Sequence, residues 1–176
     1  MILPFSTQLN GKPTYFPEKI LTGLFNNKII TEEEIQDRFE LSILVRKGEF
    51  YEICFDKTQL HKPKLHTIRE DKTDRWKPGV MIDFFINTRQ PNMFRFAQRI
   101  PVVSVQRILM SYAYSNIIHI TINGRRINDW QEKEKIAIND GFENWDDFVD
   151  YFIPIIEKSE DGFFTGKIIH WTNLKY

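Results

Sequence analysis

One cysteine, Cys54, stands in 176 residues, so no intrachain disulfide can form and a secreted scaffold stapled by disulfides is excluded. Net charge is equally scarce: Lys plus Arg number 24 and Asp plus Glu number 24. The whole-chain balance therefore names neither nucleic acid nor an acidic membrane as a partner. No apolar run approaches the ~20 residues of a membrane-spanning helix, and the opening residues MILPFS lack the basic flank and apolar core of a signal peptide. These absences predict a soluble, cytoplasmic protein with no membrane partner. Glycine and proline, eight each, are scattered as punctuation, and there is no internal repeat, so a single domain over 1–176 is expected. The glycines form neither a P-loop nor a dinucleotide fingerprint, which leaves ATP and NAD unsupported. His61, His66, His119 and His170 show no zinc spacing with one another or with Cys54, so no metal and no cofactor is predicted.

What is present is a globular composition, 41% hydrophobic and 27% charged, with 14% aromatic residues for a core, an interface or a base-stacking cleft. Pro17 at a first helical position, followed by Ile20, Leu21 and Leu24, predicts a short opening helix. Thr31 and Glu34 form a capping box that starts a second helix near residue 32. Lys47-Gly48-Glu49 reads as the turn of a hairpin, with a longer helix beyond Leu41 as the alternative. From Lys64 to Ile122 the chain reads as strands: 66–69, 80–86, 94–110 and 117–122, separated by turn chemistry at Lys77-Pro78-Gly79. Asn123-Gly124 is the favoured pair of a two-residue hairpin loop. Asp129 and Asn144 cap two later helices, the second carrying Trp145, Phe148, Val149 and Phe152 at helical spacing and stopped by Pro154. Phe163 to Trp171 returns as a last strand, with Gly166 as a bulge. Short strands with a few edge helices describe a small α+β domain on a barrel-like sheet.

Three pieces stand out together. They are Lys64-Leu65-His66-Thr67-Ile68-Arg69, Trp76-Lys77-Pro78-Gly79, and Ile136 to Phe142 with its Asp140-Gly141 exit, ahead of Trp145-Asp146-Asp147-Phe148. In that order, over roughly 64–172, they resemble the ASCH family (activating signal cointegrator homology), a branch of the PUA-like β-barrels. The opening helix with Lys19 and Ile20 is similar to the family's first helix. In the family that helix runs almost directly into the Lys-x-x-Thr motif, whereas here residues 24–63 intervene as an insertion. The resemblance implies a cleft that takes RNA or a modified nucleobase. For some small bacterial members it implies an amidohydrolase that deacylates acetylated cytidine, with Lys64, Thr67 and Asp140 in the catalytic positions; other members are nucleic-acid binders or ribonucleases.

The chemistry of those residues is coherent. A Lys amine in a dry cleft can take the proton of a Thr hydroxyl, making Lys64 the base and Thr67 the nucleophile. Asp140 would hold the Lys or position the substrate amine, and Arg69 would bind an oxyanion or a phosphate. Residues i and i+3 of a regular strand face opposite ways, so Lys64 and Thr67 converge only if Lys64 precedes the strand or a bulge intervenes. The resemblance implies a glutamate where this chain has Asp140, one methylene shorter. Trp76 between Arg75 and Lys77 is an aromatic among cations that could stack a base or fold onto the barrel.

Charge is segregated although its sum vanishes. Residues 57–107 hold eleven basic and four acidic residues, and residues 129–161 hold eleven acidic and three basic ones. A basic strand region interleaved with Trp76, Phe84, Phe94 and Phe96 is the footprint of a nucleic-acid surface, unless the acidic helices pack over it and cancel it. Three functions follow: a binding module for RNA or a modified nucleoside, an amidohydrolase, and a protein-interaction domain.

Overall fold

A computed structural model describes residues 1–37, 61–113 and 117–176. In chain order its strands are β1 (Ile2–Pro4), β2 (Gln8–Leu9), β3 (Lys12–Pro13), β4 (His66–Arg69), β5 (Met81–Ile86), β6 (Phe94–Arg95), β7 (Ile100–Pro101), β8 (Ser104–Ala113), β9 (Ile117–Ile122), β10 (Arg125–Ile127) and β11 (Phe163–His170). Its helices are α1 (Phe16–Asn26), α2 (32–37), α3 (Trp130–Asn139) and α4 (Trp145–Glu157). The architecture is mixed α+β. The chain divides into two compact units, one made of residues 1–65 and 80–101, the other of 66–79 and 102–176. Most of the 24–63 insertion, including the hairpin expected around Lys47-Gly48, lies outside the described residues.

In the first unit α1 carries Pro17 in its first turn, where the missing N–H is no loss. The Thr31 hydroxyl accepts from the Glu34 N–H at 3.2 Å and the Glu34 carboxylate accepts from the Thr31 N–H at 2.8 Å, the reciprocal pair that opens α2. The sheet runs β1-β5-β6, with β7 also on β5, and β1 lies parallel to β5. Alternation along β5 buries Ile82, Phe84 and Ile86. Phe5 stacks on Phe84 with ring centroids 5.9 Å apart, and Phe96 meets both edge-on. The Lys64 N–H donates to the Lys19 carbonyl at 2.9 Å, so the chain leaving the insertion runs along α1. Gly23 permits that approach: a Cβ there would stand 2.7 Å from the Lys64 carbonyl oxygen.

The second unit is built on a five-stranded antiparallel sheet in the order β10-β9-β8-β11-β4. Among the described residues no pairing joins its two ends. Asn123 and Gly124, with φ of 49° and 84°, make the β9–β10 turn that their pair predicts. One sheet face buries Ile108, Met110, Ile118, Ile120, Ile122, Phe164 and Ile168, and α4 lays Trp145, Phe148, Val149 and Phe152 into the same core. Phe152 joins helix to sheet, 5.2 Å from Phe164.

Three local expectations need correction. Residues 94–110 form β6, β7 and β8 rather than one strand: β6 and β7 pair with β5 in the first unit, and β8 begins after Pro101, which has no N–H to extend a ladder. Pro154 lies inside α4, which continues to Glu157; the fixed proline φ is helical, and only one hydrogen bond of the last turns is lost. Gly166 is no bulge, because β11 keeps continuous register with Gly166 opposite Ile108. A Cβ there would stand 2.7 Å from the Arg69 carbonyl and 2.6 Å from the Phe164 ring, so glycine serves close approach.

Gly23→Ala gains about 1 kcal/mol of helix propensity but pushes against main chain, at about 1–3 kcal/mol. The expected outcome is a Tm lower by a few degrees in thermal unfolding, and a Tm at or above that of the wild type would show the contact to be slack.

Candidate functional site in the five-stranded sheet

Strand alternation puts His66 and Ile68 on one face of β4 and Thr67 and Arg69 on the other. Register extends the first face sideways. His66 lies opposite His170, and His170 opposite Ser104, giving one cross-strand row; Ile68, Ile168 and Gln106 form the next. His66, Gln106 and His170 are all buried, a polar patch beside the apolar core.

The exit of α3 lands on this patch. α3 begins at Asp129, whose carboxylate accepts from the Glu132 N–H, and ends at Asn139 with Asp140 as its C-cap. A carboxylate at a helix C-terminus opposes the helix dipole. Here Asp140 is 5% exposed, and its Oδ1 accepts the Ile68 N–H at 3.1 Å. The same oxygen lies 3.7 Å from Nδ1 of His66, within ion-pair range and too long for a hydrogen bond. Asn139, one residue earlier, donates to the Tyr176 hydroxyl at 2.9 Å, and that hydroxyl is 2.8 Å from Nε2 of His66. The Gln106 side chain completes the set: its amide nitrogen donates to the Tyr176 main-chain oxygen at 2.7 Å and its oxygen accepts the Tyr176 N–H at 3.0 Å.

Burial pushes the Tyr176 phenol well above its ordinary value, against the Asn139 donation and with the Asp140 charge adding to the rise. The phenol keeps its proton. Asn139 donates into the oxygen, so the phenol proton is available to Nε2 of His66, while Nδ1 of the same ring faces Asp140. Carboxylate, imidazole and hydroxyl thus lie in one row, the hydroxyl–imidazole contact at hydrogen-bond length and the imidazole–carboxylate contact longer. His170 differs. It is fully buried beside His66 and Tyr176, with centroids 5.3 and 5.9 Å away, and neither ring nitrogen has a hydrogen-bond partner among the described residues. Burial, with the Lys175 charge adding, pushes its imidazole down to about 4.

The residues expected from sequence are placed as follows. Asp140 meets the Lys-x-x-Thr-Ile-Arg segment, at the Ile68 main chain. Thr67, 3% exposed, lies on the opposite face of β4 with Arg69. Lys64 precedes β4 and belongs to the first unit, where it is 1% exposed and its ammonium lies 4.8 Å from the Phe16 ring centroid and 5.9 Å from that of Phe5. Trp76 is 6% exposed and gives no open face to a base. It anchors its loop instead: Asp71 accepts the Trp76 and Arg75 N–H groups at 2.9 and 3.1 Å, and Lys167 reaches Asp71 at 2.8 Å, the Trp76 carbonyl at 2.9 Å and Asp74. Burial alone would raise the Asp71 carboxyl, but Lys167 and those N–H groups hold it below the usual range. Arg75 and Lys77 project from this loop, both exposed.

The basic region is partly neutralised by its own acids. Glu70 holds Lys72, Asp74 holds Lys77 as well as Lys167, and Asp83 holds Arg95 and Arg99. In the second unit, the exposed guanidinium groups of Arg75 and Arg107 have no side-chain partner among the described residues. A cleft of about 860 Å³ beside Arg107, Phe163 and Lys167 carries acids and bases in similar number and favours neither sign. No cluster of three or more His, Cys, Asp or Glu able to hold a metal occurs among the described residues. No described helix is long and apolar enough to cross a membrane.

Compared with protein-family models, curated proteins and solved structures, the chain matches none.

Ser104, Gln106, Asn139 and Tyr176 were not singled out by sequence reasoning, and His66 and His170 were weighed only as metal ligands. The period-2 pattern places His66 with Ile68, a signal available on β4 alone, but the row with Ser104 and His170 exists only once register is known.

Two measurements check this site. Asp140→Ala leaves the Ile68 N–H buried without its acceptor and should cost about 1–3 kcal/mol in urea unfolding, with Asp140→Asn losing less; equal stability of the Ala variant would show the bond to be idle. His170 is neutral in the folded chain while the unfolded chain takes a proton below pH 6.5. Its contribution is therefore complete above 6.5 and falls as pH drops to about 4, by on the order of 3 kcal/mol in all. His170→Phe should flatten that part of the stability curve, and an unchanged curve would place the acid sensitivity elsewhere.

Proposed function

We propose that the chain is an ASCH-like domain of the PUA-like class that binds RNA and reads a base, or a modified nucleobase, at the polar patch of its second unit. The observation that carries the reading is the bond from the Ile68 N–H to Asp140. It joins the Lys-x-x-Thr-Ile-Arg strand to the Asp-Gly-Phe helix exit across 72 residues of sequence, the two motifs on which the family resemblance rests. On this reading the five-stranded antiparallel sheet is the larger part of the family's barrel. The amide of Gln106, the amide of Asn139 and the imidazoles of His66 and His170 supply directional donors and acceptors in a water-poor setting, where a mismatched base edge is costly. Arg75, Lys77 and Arg107 supply the cations for backbone phosphates.

A hydrolytic second reading, with Thr67 as the attacking hydroxyl, draws on the dryness of Thr67 and Asp140, 3% and 5% exposed. It predicts release of cytidine from acetylated cytidine, lost in Thr67→Ala. Absence of product at high protein concentration removes it.

The binding reading is tested by fluorescence anisotropy with a labelled single-stranded RNA over a salt series. Affinity should fall steeply with salt, and Arg75→Gln and Arg107→Gln should each reduce the log-log slope by roughly 0.7. A flat salt response, or slopes unmoved by both changes, would remove RNA as the partner.

A further inference from the structure

Tyr176 occupies the polar patch with an unusual set of contacts. Its hydroxyl is held by Asn139 and His66, 2.9 and 2.8 Å away. At the other end of the residue, the adjacent N–H and main-chain oxygen make a cyclic two-bond pair with the single amide of Gln106, 3.0 and 2.7 Å long. A side-chain amide that reads a neighbouring donor and acceptor in this way is the device by which Asn and Gln recognise a base edge. Tyrosine leaves part of the patch unused. Both nitrogens of His170, fully buried in the same row, and the buried Ser104 hydroxyl have no hydrogen-bond partner among the described residues. Buried polar groups are normally satisfied, and each exception calls for a reason. Here the patch offers more directional groups than its occupant can engage.

We propose that Tyr176 is a built-in, displaceable occupant of a pocket for a pyrimidine nucleoside, formed by His66, Ser104, Gln106, Asn139 and His170. The proposal rests on the base-reading function above and adds the ligand class and its competitor. A pyrimidine nucleoside can make both kinds of contact that Tyr176 makes: its ring edge carries an adjacent donor and acceptor for Gln106, where Tyr176 uses its main chain, and its ribose carries hydroxyls for Asn139 and His66, where Tyr176 uses its phenol. It also brings further ring and sugar oxygens and nitrogens within the compass of His170 and Ser104. Because the tyrosine is tethered, it competes at high effective concentration, and the free nucleoside binds only the fraction of molecules in which the residue is withdrawn. Recognition is thereby held weak until Tyr176 is drawn off, for instance by a longer RNA with phosphate contacts elsewhere on the unit.

The test is calorimetric titration of the full chain with uridine and with cytidine. Tyr176→Gly should tighten at least one of them by about tenfold or more, and Gln106→Leu in the same background should abolish the gain. Tyr176→Phe loses only the hydroxyl contacts with Asn139 and His66 and keeps the ring in place, so it should give a smaller gain, about two- to fivefold; it serves if the glycine variant fails to show a cooperative melt. Nucleoside affinity unmoved in both variants overturns the proposal. RNA anisotropy on the same samples separates the two claims: RNA binding with unmoved nucleoside affinity rejects the pocket and leaves the RNA reading standing. A gain in nucleoside affinity without RNA binding supports the pocket and rejects RNA as partner.

Discussion

The arrangement of the second unit depends on one charged hydrogen bond, from the Ile68 N–H to the buried Asp140 carboxylate. Among the described residues β4 is the end strand of its sheet, so the N–H groups on its outer side have no described strand to receive them, and a buried donor without an acceptor is unfavourable by about 1–3 kcal/mol. The carboxylate answers that need and sits at a helix C-terminus to do so, against the helix dipole. Once α3 is held there, Asn139 is carried to the Tyr176 hydroxyl and the carboxylate is set beside His66. The polar patch is thus a secondary result of closing a sheet edge with a helix exit.

Charge follows a different logic. The sequence segregates a basic strand region from an acidic helical one, and the contacts described pair many basic groups with acids of the same region: Lys72 with Glu70, Lys77 with Asp74, Arg95 and Arg99 with Asp83. Exposed pairs of this kind are weak and yield readily to a polyanion. The Asp71 and Lys167 pair is another matter, since both side chains are nearly buried and shared with loop main chain. It fixes the loop that presents Arg75 and Lys77, and so gives the two cations a defined position.

Much of the local structure was legible. Caps and turns chosen for their chemistry fall where expected, from the Thr31 and Glu34 box to the Asn123-Gly124 turn, because these signals act within a few residues. The apolar stripe of α4 lies in the core for the same reason. Asp140 was expected to hold Lys64 or position a substrate amine; its bond to the Ile68 N–H was not foreseen, since sequence says little about which main-chain groups an edge strand leaves over. Trp76 illustrates another limit: its flanking cations suggested a stacking surface, while the side chain is buried and its carbonyl is held by Lys167, 91 residues away. The role of Gly166 was likewise hidden, because the neighbour that demands a glycine belongs to β4.

β11 lies between β8 and β4, and among the described residues it is the only strand on which β4 pairs. The hairpins β8–β9 and β9–β10 join neighbours in sequence and can close early, whereas β4 waits for a strand nearly a hundred residues further on. During synthesis β4 has no ladder to enter until residues 163–170 are made, and the closing steps of this unit are slow, high-contact-order ones. The polar patch shares that timing. Its His170 arrives on the strand that joins β4 to the sheet, so the row of His66, His170 and Ser104 exists only once that strand has paired.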